Sequence, residues 1–120
     1  MSLRCQTAFV AIAAPNLTEV SEFYQQLFTQ PPAQIVSDVY AEFHLPNLRL
    51  GIFRPKMVAE FIGAGTVSLC LEVEDLDEAI AHLKAIGVAI PDRIMTASHG
   101  REIYIYDPAG SRIILHEAKL

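Results

Sequence analysis

An α+β fold made of two β-α-β-β-β modules is what this sequence predicts, and three observations lead to it. The segments Phe9 to Glu19 and Ser68 to Glu78 share one pattern: an apolar run, an Asn or Asp, a Leu, then a Glu three positions after the Asn or Asp. The pairs Phe9/Ser68, Asn16/Asp75 and Glu19/Glu78 are all separated by 59 positions, and self-similarity at a fixed offset means one supersecondary unit used twice. After each helical stretch the periodicity changes to short β-rich runs joined by Pro-bearing turns, the signature of hairpins.

The elements follow in order. Ala8 to Ala14 is a short apolar run that reads as a buried strand; it is at the short limit for a signal-peptide core and leads into a capped helix. Asn16 is suited to cap that helix, because its side-chain oxygen can accept from the unpaired N–H groups of the first turn. Glu19, at the third helical position, can return a hydrogen bond and favours the positive helix end. Leu17, Val20, Tyr24 and Leu27 recur at the spacing of one buried helix face. A weak strand is expected near Ala33 to Ile35, then strands over Val36 to Leu45 and Leu48 to Phe53, joined by a turn containing Pro46-Asn47.

The second half repeats this order. Asp75 and Glu78 take the capping positions, Leu76, Ala79, Ile80, Leu83 and Ile86 form the apolar face, and Gly87 closes the helix as a C′ residue. A weak strand near Val88 to Arg93 precedes strands over Arg101 to Tyr106 and Ser111 to Leu115, joined by Asp107-Pro-Ala-Gly110. Both hairpin turns are short, contain Pro and are followed by an Arg. The chain thus reads as a single domain over 1–120, with a first module over 1–53, a connector over 54–64 and a second module over 65–120.

Composition narrows the function classes. Hydrophobic residues are 52% and charged residues 19% of the 120, a globular rather than a disordered balance. The net charge is −5, with 9 basic and 14 acidic side chains; without a basic stripe, no nucleic-acid partner is expected. No apolar run nears the roughly 18 residues of a membrane span, so no membrane partner is expected either. Cys5 and Cys70 belong to no metal-binding or redox motif, and read as reduced, half-buried thiols of a cytoplasmic protein.

Paired βαβββ modules resemble the vicinal-oxygen-chelate superfamily of glyoxalase I, bleomycin-resistance proteins, fosfomycin-resistance transferases and extradiol dioxygenases. The resemblance covers nearly the whole chain. It is carried by Ala14-Pro-Asn16-Leu-x-x-Val20-x-x-Phe23-Tyr24-x-x-Leu27-Phe28, by Glu72-Val-Glu-Asp75-Leu-Asp-Glu78-Ala-Ile80 with Leu83 and Gly87-Val88, and by Asp107-Pro-x-Gly110-x-x-Ile113-x-Leu115. It implies that the modules form a cupped half-barrel sheet. It also implies metal ligands on the first strand of each module, commonly His, and on the last strand of each, commonly Glu. Those positions fall here at Phe9, at Ser68, at Ile114 and at Gly51 or Ile52. Phe, Ile and Gly offer no donor and a neutral Ser hydroxyl is a poor one, so neither a metal nor another cofactor is expected.

Other polar residues remain as candidates. The resemblance to fosfomycin-resistance members places a cup-facing Tyr three residues before the Asp of Asp-Pro-x-Gly, which is Tyr104. Strand alternation puts Glu102 on the same face, and Ser98, His99 and Arg101 would rim the opening. His82 reads as a surface residue, while His44 and His116 can face either side of their strands. Neither His99 with Glu102 nor His116 with Glu117 supplies three convergent donors, and no Ser or Cys sits in a nucleophile elbow.

The reading that follows is a protein that binds a small organic molecule, without a metal, in an apolar cup lined by Phe9, Ser68, Tyr104 and Ile114. The alternatives are a superfamily enzyme (lyase, isomerase or ring-cleaving dioxygenase), with a displaced metal or an acid/base pair such as Glu102 and Tyr104, and a non-catalytic dimerisation or regulatory module. A homodimer is expected under all three.

Overall fold

The structure, a computed structural model, describes residues 4–56, 67–97 and 99–119, and the chain divides into two compact units, Met1–Phe61 and Ile62–Leu120. The first unit contains β1 (Val10–Ala13), α1 (Leu17–Phe28), β2 (Gln34–Val36), β3 (Tyr40–Leu45) and β4 (Leu48–Phe53). Its sheet has the order β1-β4-β3-β2, with β1 parallel to β4 and the other pairs antiparallel. The second unit contains β5 (Leu69–Glu72), α2 (Leu76–Ala85), β6 (Met95–Ala97), β7 (Gly100–Tyr106) and β8 (Arg112–Ala118). Its order is β5-β8-β7-β6, with the same pairing senses. The repeat legible in the sequence is therefore a repeat of topology.

Register makes the equivalence residue-specific. Val10 pairs with Leu50 in the first unit, and Leu69 pairs with Ile113 in the second. Arg49 and Arg112, one residue earlier on the last strand of each unit, thus occupy equivalent places, and so do Gly51 and Ile114, one residue later.

Each helix covers one face of its own sheet. α1 buries Leu17, Val20, Ser21 and Tyr24, and Ala41, Phe43, Leu50 and Ile52 are the buried residues of β3 and β4 on that side. Tyr24, Phe28 and Phe43 form an aromatic cluster there, with Phe28 and Phe43 centroids 5.7 Å apart. α2 buries Leu76 and Leu83, and the matching sheet positions are Ile103, Ile105, Ile113 and Leu115.

The ends of the elements are set by the expected residues, with some differences. Asp75 caps α2, accepting from the Glu78 backbone N–H at 3.1 Å. Asn16 makes no such cap bond; its amide donates to Glu19 Oε1 at 2.9 Å, so the two side chains pair with each other. Gly87, at φ +83°, closes α2 with bonds from its own N–H to the Lys84 carbonyl and from Val88 N–H to that of Leu83, a Schellman arrangement. Asp107 folds the β7–β8 turn, its Oδ1 accepting from Ala109 N–H at 2.8 Å and Ser111 N–H at 3.0 Å.

Several sequence expectations are corrected. The single run over Val36 to Leu45 is broken between β2 and β3, because Asp38 takes a left-handed φ of 66° and Val39 N–H turns back to the Val36 carbonyl. The weak strand expected over Val88 to Arg93 lies instead at Met95–Ala97, past Pro91, which has no N–H to give a ladder. β1 is half exposed rather than buried, since it pairs on one side only. Cys5 and Cys70 are both free and exposed, where half-burial was expected. Of the connector, residues 57–64 lie outside the described residues. No helix among the described residues is long and apolar enough to cross a membrane.

Candidate functional site

Strand alternation gives each sheet a second face, which the unit's own helix leaves uncovered. In the first unit this face carries Tyr40, Glu42 and His44 from β3 and Arg49, Gly51 and Phe53 from β4. Glu42 is buried. Its Oε1 accepts from the Tyr40 hydroxyl at 2.8 Å, and its Oε2 meets His44 Nε2 at 2.7 Å and lies 3.9 Å from Arg49 Nη1. Gly51 makes room for this network, since a Cβ there would fall 2.5 Å from the Tyr40 hydroxyl oxygen. The Arg49 guanidinium lies over the Phe9 ring, 5.0 Å from its centroid.

The hydrogen bond from His44, then that from Tyr40, holds the Glu42 carboxyl below the ordinary carboxylate range. At neutral pH it is an ionised acceptor with both oxygens engaged, a poor proton abstractor and a good anchor. A lowered folded-state pKa adds stability above the unfolded value of about 4.3, and that stability is lost as pH falls through the folded value. Melting temperatures taken from pH 6 down to pH 3 are therefore expected to fall more steeply for the wild type than for Glu42→Gln; parallel acid legs would remove this role. Burial, and then the bond to Glu42, raises the Tyr40 pKa, which keeps its hydroxyl a donor.

Glu42 and Tyr40 were not anticipated from the sequence. The signal available was Tyr-x-Glu-x-His, polar groups at period two, but it lay inside a run read as one long strand.

In the second unit the uncovered face brings together four of the expected candidates. Tyr104 pairs across the ladder with Ile114, and Glu102 with His116. Ser68 Oγ accepts from Arg112 Nε–H at 2.6 Å, and the Arg112 guanidinium lies 5.1 Å from the Tyr104 ring centroid. The Tyr104 hydroxyl reaches Glu102 Oε1 at 3.4 Å, a long bond. Phe9 stands on the equivalent face of the first unit, against Arg49.

The remaining candidates divide. His99 Nδ1 and His116 Nε2 are 3.0 Å apart, and His116 Nδ1 bonds to Glu72, so both nitrogens of His116 are engaged by protein. Arg101 does not rim this face. Residues 101, 103 and 105 alternate to the helix side, where Arg101 Nε donates to Glu117 Oε1 at 3.0 Å and Nη2 approaches Asp77 at 3.4 Å. Glu117 Oε2 in turn accepts from the Leu76 N–H at 2.8 Å, so the pair ties the start of α2 to the sheet. Its bond to Arg101, then that to Leu76, lowers the Glu117 pKa. Ser98 lies outside the described residues.

The family's metal does not fit the donors present. Phe9, Gly51 and Ile114 carry no donor atom, and the one oxygen, Ser68 Oγ, is already held by a guanidinium, a positive charge that would repel a second cation. Among the described residues no group of three or more His, Cys, Asp or Glu is arranged to hold a metal ion.

Comparisons with known proteins agree with the fold. The chain is 29% identical to the mitochondrial methylmalonyl-CoA epimerase of Dictyostelium discoideum, over 90% of this chain and 74% of that protein. A glyoxalase/bleomycin resistance protein from Catenulispora acidiphila superposes with a TM-score of 0.76 at 23% identity, covering 96% of this chain and all of the other. A bleomycin-binding protein, solved in complex with bleomycin, superposes with a TM-score of 0.68 at 18% identity, covering 96% of this chain and 100% of that one. Residues 6–115 match the model of one family, and the chain belongs to the Glyoxalase/Bleomycin resistance protein/Dioxygenase superfamily.

Proposed function

We propose that the chain binds a small organic molecule against the uncovered face of its second sheet, without a metal at the superfamily's ligand positions. The observation that supports this most directly is the substitution of the donor set: Ser68 and Ile114 stand where ligands belong, and an arginine engages the serine. What remains is an apolar and aromatic surface, Ile114 and Tyr104, with a few polar groups to orient a ligand, the usual make-up of a small-molecule site. The bleomycin-binding relative shows that a protein of this fold can hold an organic ligand. The same reading has the chain act as a cytosolic homodimer; the exposed apolar residues Ile35, Val36 and Val39 near the β2 edge are consistent with a partner copy, and sedimentation checks it.

The test has two parts. Elemental analysis of the purified protein is expected to find no stoichiometric zinc, nickel, iron or manganese, and one equivalent of any of them would overturn the reading. A thermal-shift screen of small aromatic and drug-like molecules is expected to give hits, since a ligand at a hundred times its dissociation constant adds about 2.7 kcal/mol. A screen without one would leave the non-catalytic module as the better account.

A further inference from the structure

We propose that Arg112 is the anchor for an oxyanion, a carboxylate or phosphate carried by the small molecule, so that a guanidinium supplies positive charge beside Ser68 and Ile114, the second unit's counterparts of the superfamily's ligand positions. The inference rests on the small-molecule reading above and adds the chemical class of the ligand.

Three features of Arg112 lead to it. First, the side chain is fixed: Nε–H donates to Ser68 Oγ at 2.6 Å, and the guanidinium stacks 5.1 Å from the Tyr104 centroid. With the Nε side taken, the two Nη groups remain to make the paired N–H bonds that match two oxygens on one centre. Second, its charge is uncompensated: it has no ion-pair partner among the described residues, in a chain of net charge −5. Arg54 is paired with Asp38 and Arg101 with Glu117 and Asp77. Third, the equivalent arginine of the first unit is differently placed. Arg49 also stacks on the residue at the first-strand position, Phe9, but has the Glu42 carboxylate 3.9 Å away. On one framework, then, the first copy's arginine has a carboxylate beside it, while among the described residues the second copy's arginine has no ion-pair partner.

The half-buried setting strengthens such a contact. A charge-assisted pair that is partly removed from water is worth roughly twice a neutral hydrogen bond, and Ile114 and Tyr104 offer the ligand's body an apolar wall.

The probe is benzoate, with benzamide as its neutral isostere and inorganic phosphate as a headgroup without an apolar body. Titrations of the full chain are followed by the Arg112 Nε–Hε signal and the Ser68 and Ile114 amides in 1H–15N spectra. Benzoate is expected to shift these signals saturably and benzamide to bind roughly tenfold or more weakly. Arg112→Gln is expected to weaken benzoate by a similar factor and leave benzamide unchanged, with Arg112→Lys between, because an ammonium is a point charge without the fork. Arg93→Gln, at an exposed arginine outside the strands, is the control and should bind as the wild type. If Arg112→Gln does not fold, Ser68→Ala serves instead, since it frees the guanidinium without removing it and is expected to weaken benzoate less. Phosphate binding at the same signals would show that the headgroup alone suffices, and its absence beside benzoate binding would assign the anchor to carboxylates. Equal affinity for benzoate and benzamide, or undiminished benzoate binding in Arg112→Gln, overturns the anchor while the small-molecule reading stands. Silence from all three probes at these signals overturns the anchor; the thermal-shift screen decides the wider reading separately.

Discussion

Gly100→Ala is expected to destabilise the second unit by about 2–6 kcal/mol, from a strained backbone and a steric overlap of about 1–3 kcal/mol each. Gly100 starts β7 at φ +146°, and a Cβ built there would lie 2.1 Å from the Glu117 carbonyl oxygen and 3.1 Å from His116 Nε2. The first contact is with backbone, so it cannot be relieved by turning a side chain. Gly100 pairs with Ala118 at the end of the ladder, and one further bond between the two chain segments runs from Lys119 N–H to the His99 carbonyl at 3.1 Å. Moving either strand would open that end of the hairpin and separate His99 from His116. Urea denaturation measures the loss, and the imidazole signals of His116 should move in the same variant. A change within about 0.5 kcal/mol, the usual range for an unconstrained surface site, would mean that the strands can part there without penalty.

Phe43→Ala should cost about 3–5 kcal/mol, the range for removing a fully buried aromatic side chain. Phe43 is 0% exposed, and its ring packs against those of Tyr24 and Phe28, with centroids at 6.3 Å and 5.7 Å. Truncation leaves a cavity between α1 and β3 that Tyr24, itself buried in the helix face, is not free to fill. Phe43→Leu keeps most of the volume and should cost less than about 1.5 kcal/mol. Denaturation of both variants checks the difference. If the two lost equal amounts, the cost would belong to the aromatic contact rather than to volume. Glu42 is carried on the opposite face of the same strand, so loosening of β3 in Phe43→Ala should also flatten the acid dependence described for the wild type.

Much of this fold could be read from the sequence because its strongest signals are local. Asp75 with Glu78, Gly87 and Asp107-Pro-Ala-Gly110 each determine the backbone by hydrogen bonds within a few residues, and the offset between halves gave the architecture. The site was less legible. Placing Tyr104 and Glu102 on one face needs only alternation, but Arg101, expected at the rim of the opening, is sent to the helix side by its odd-numbered place and held there by Glu117. Glu42 escaped notice because its two partners on β3, at positions 40 and 44, do not distinguish a buried network from a solvated strand. Arg112 was visible only as the Arg that follows a turn; its significance depends on Ser68, 44 residues away in sequence, a contact that propensity and periodicity do not report.

The equivalence of Arg49 and Arg112 has an evolutionary consequence. A duplicated framework begins with two identical surfaces, and selection can then treat the copies differently. Here the difference between the two copies includes an acidic side chain, Glu42, whose counterpart on β7 is Tyr104 by register, and the glycine that makes room for its network, Gly51, whose counterpart is Ile114. Two such faces differ at positions outside the helix-covered core of one shared framework, which gives this architecture a route to new ligands without altering that core.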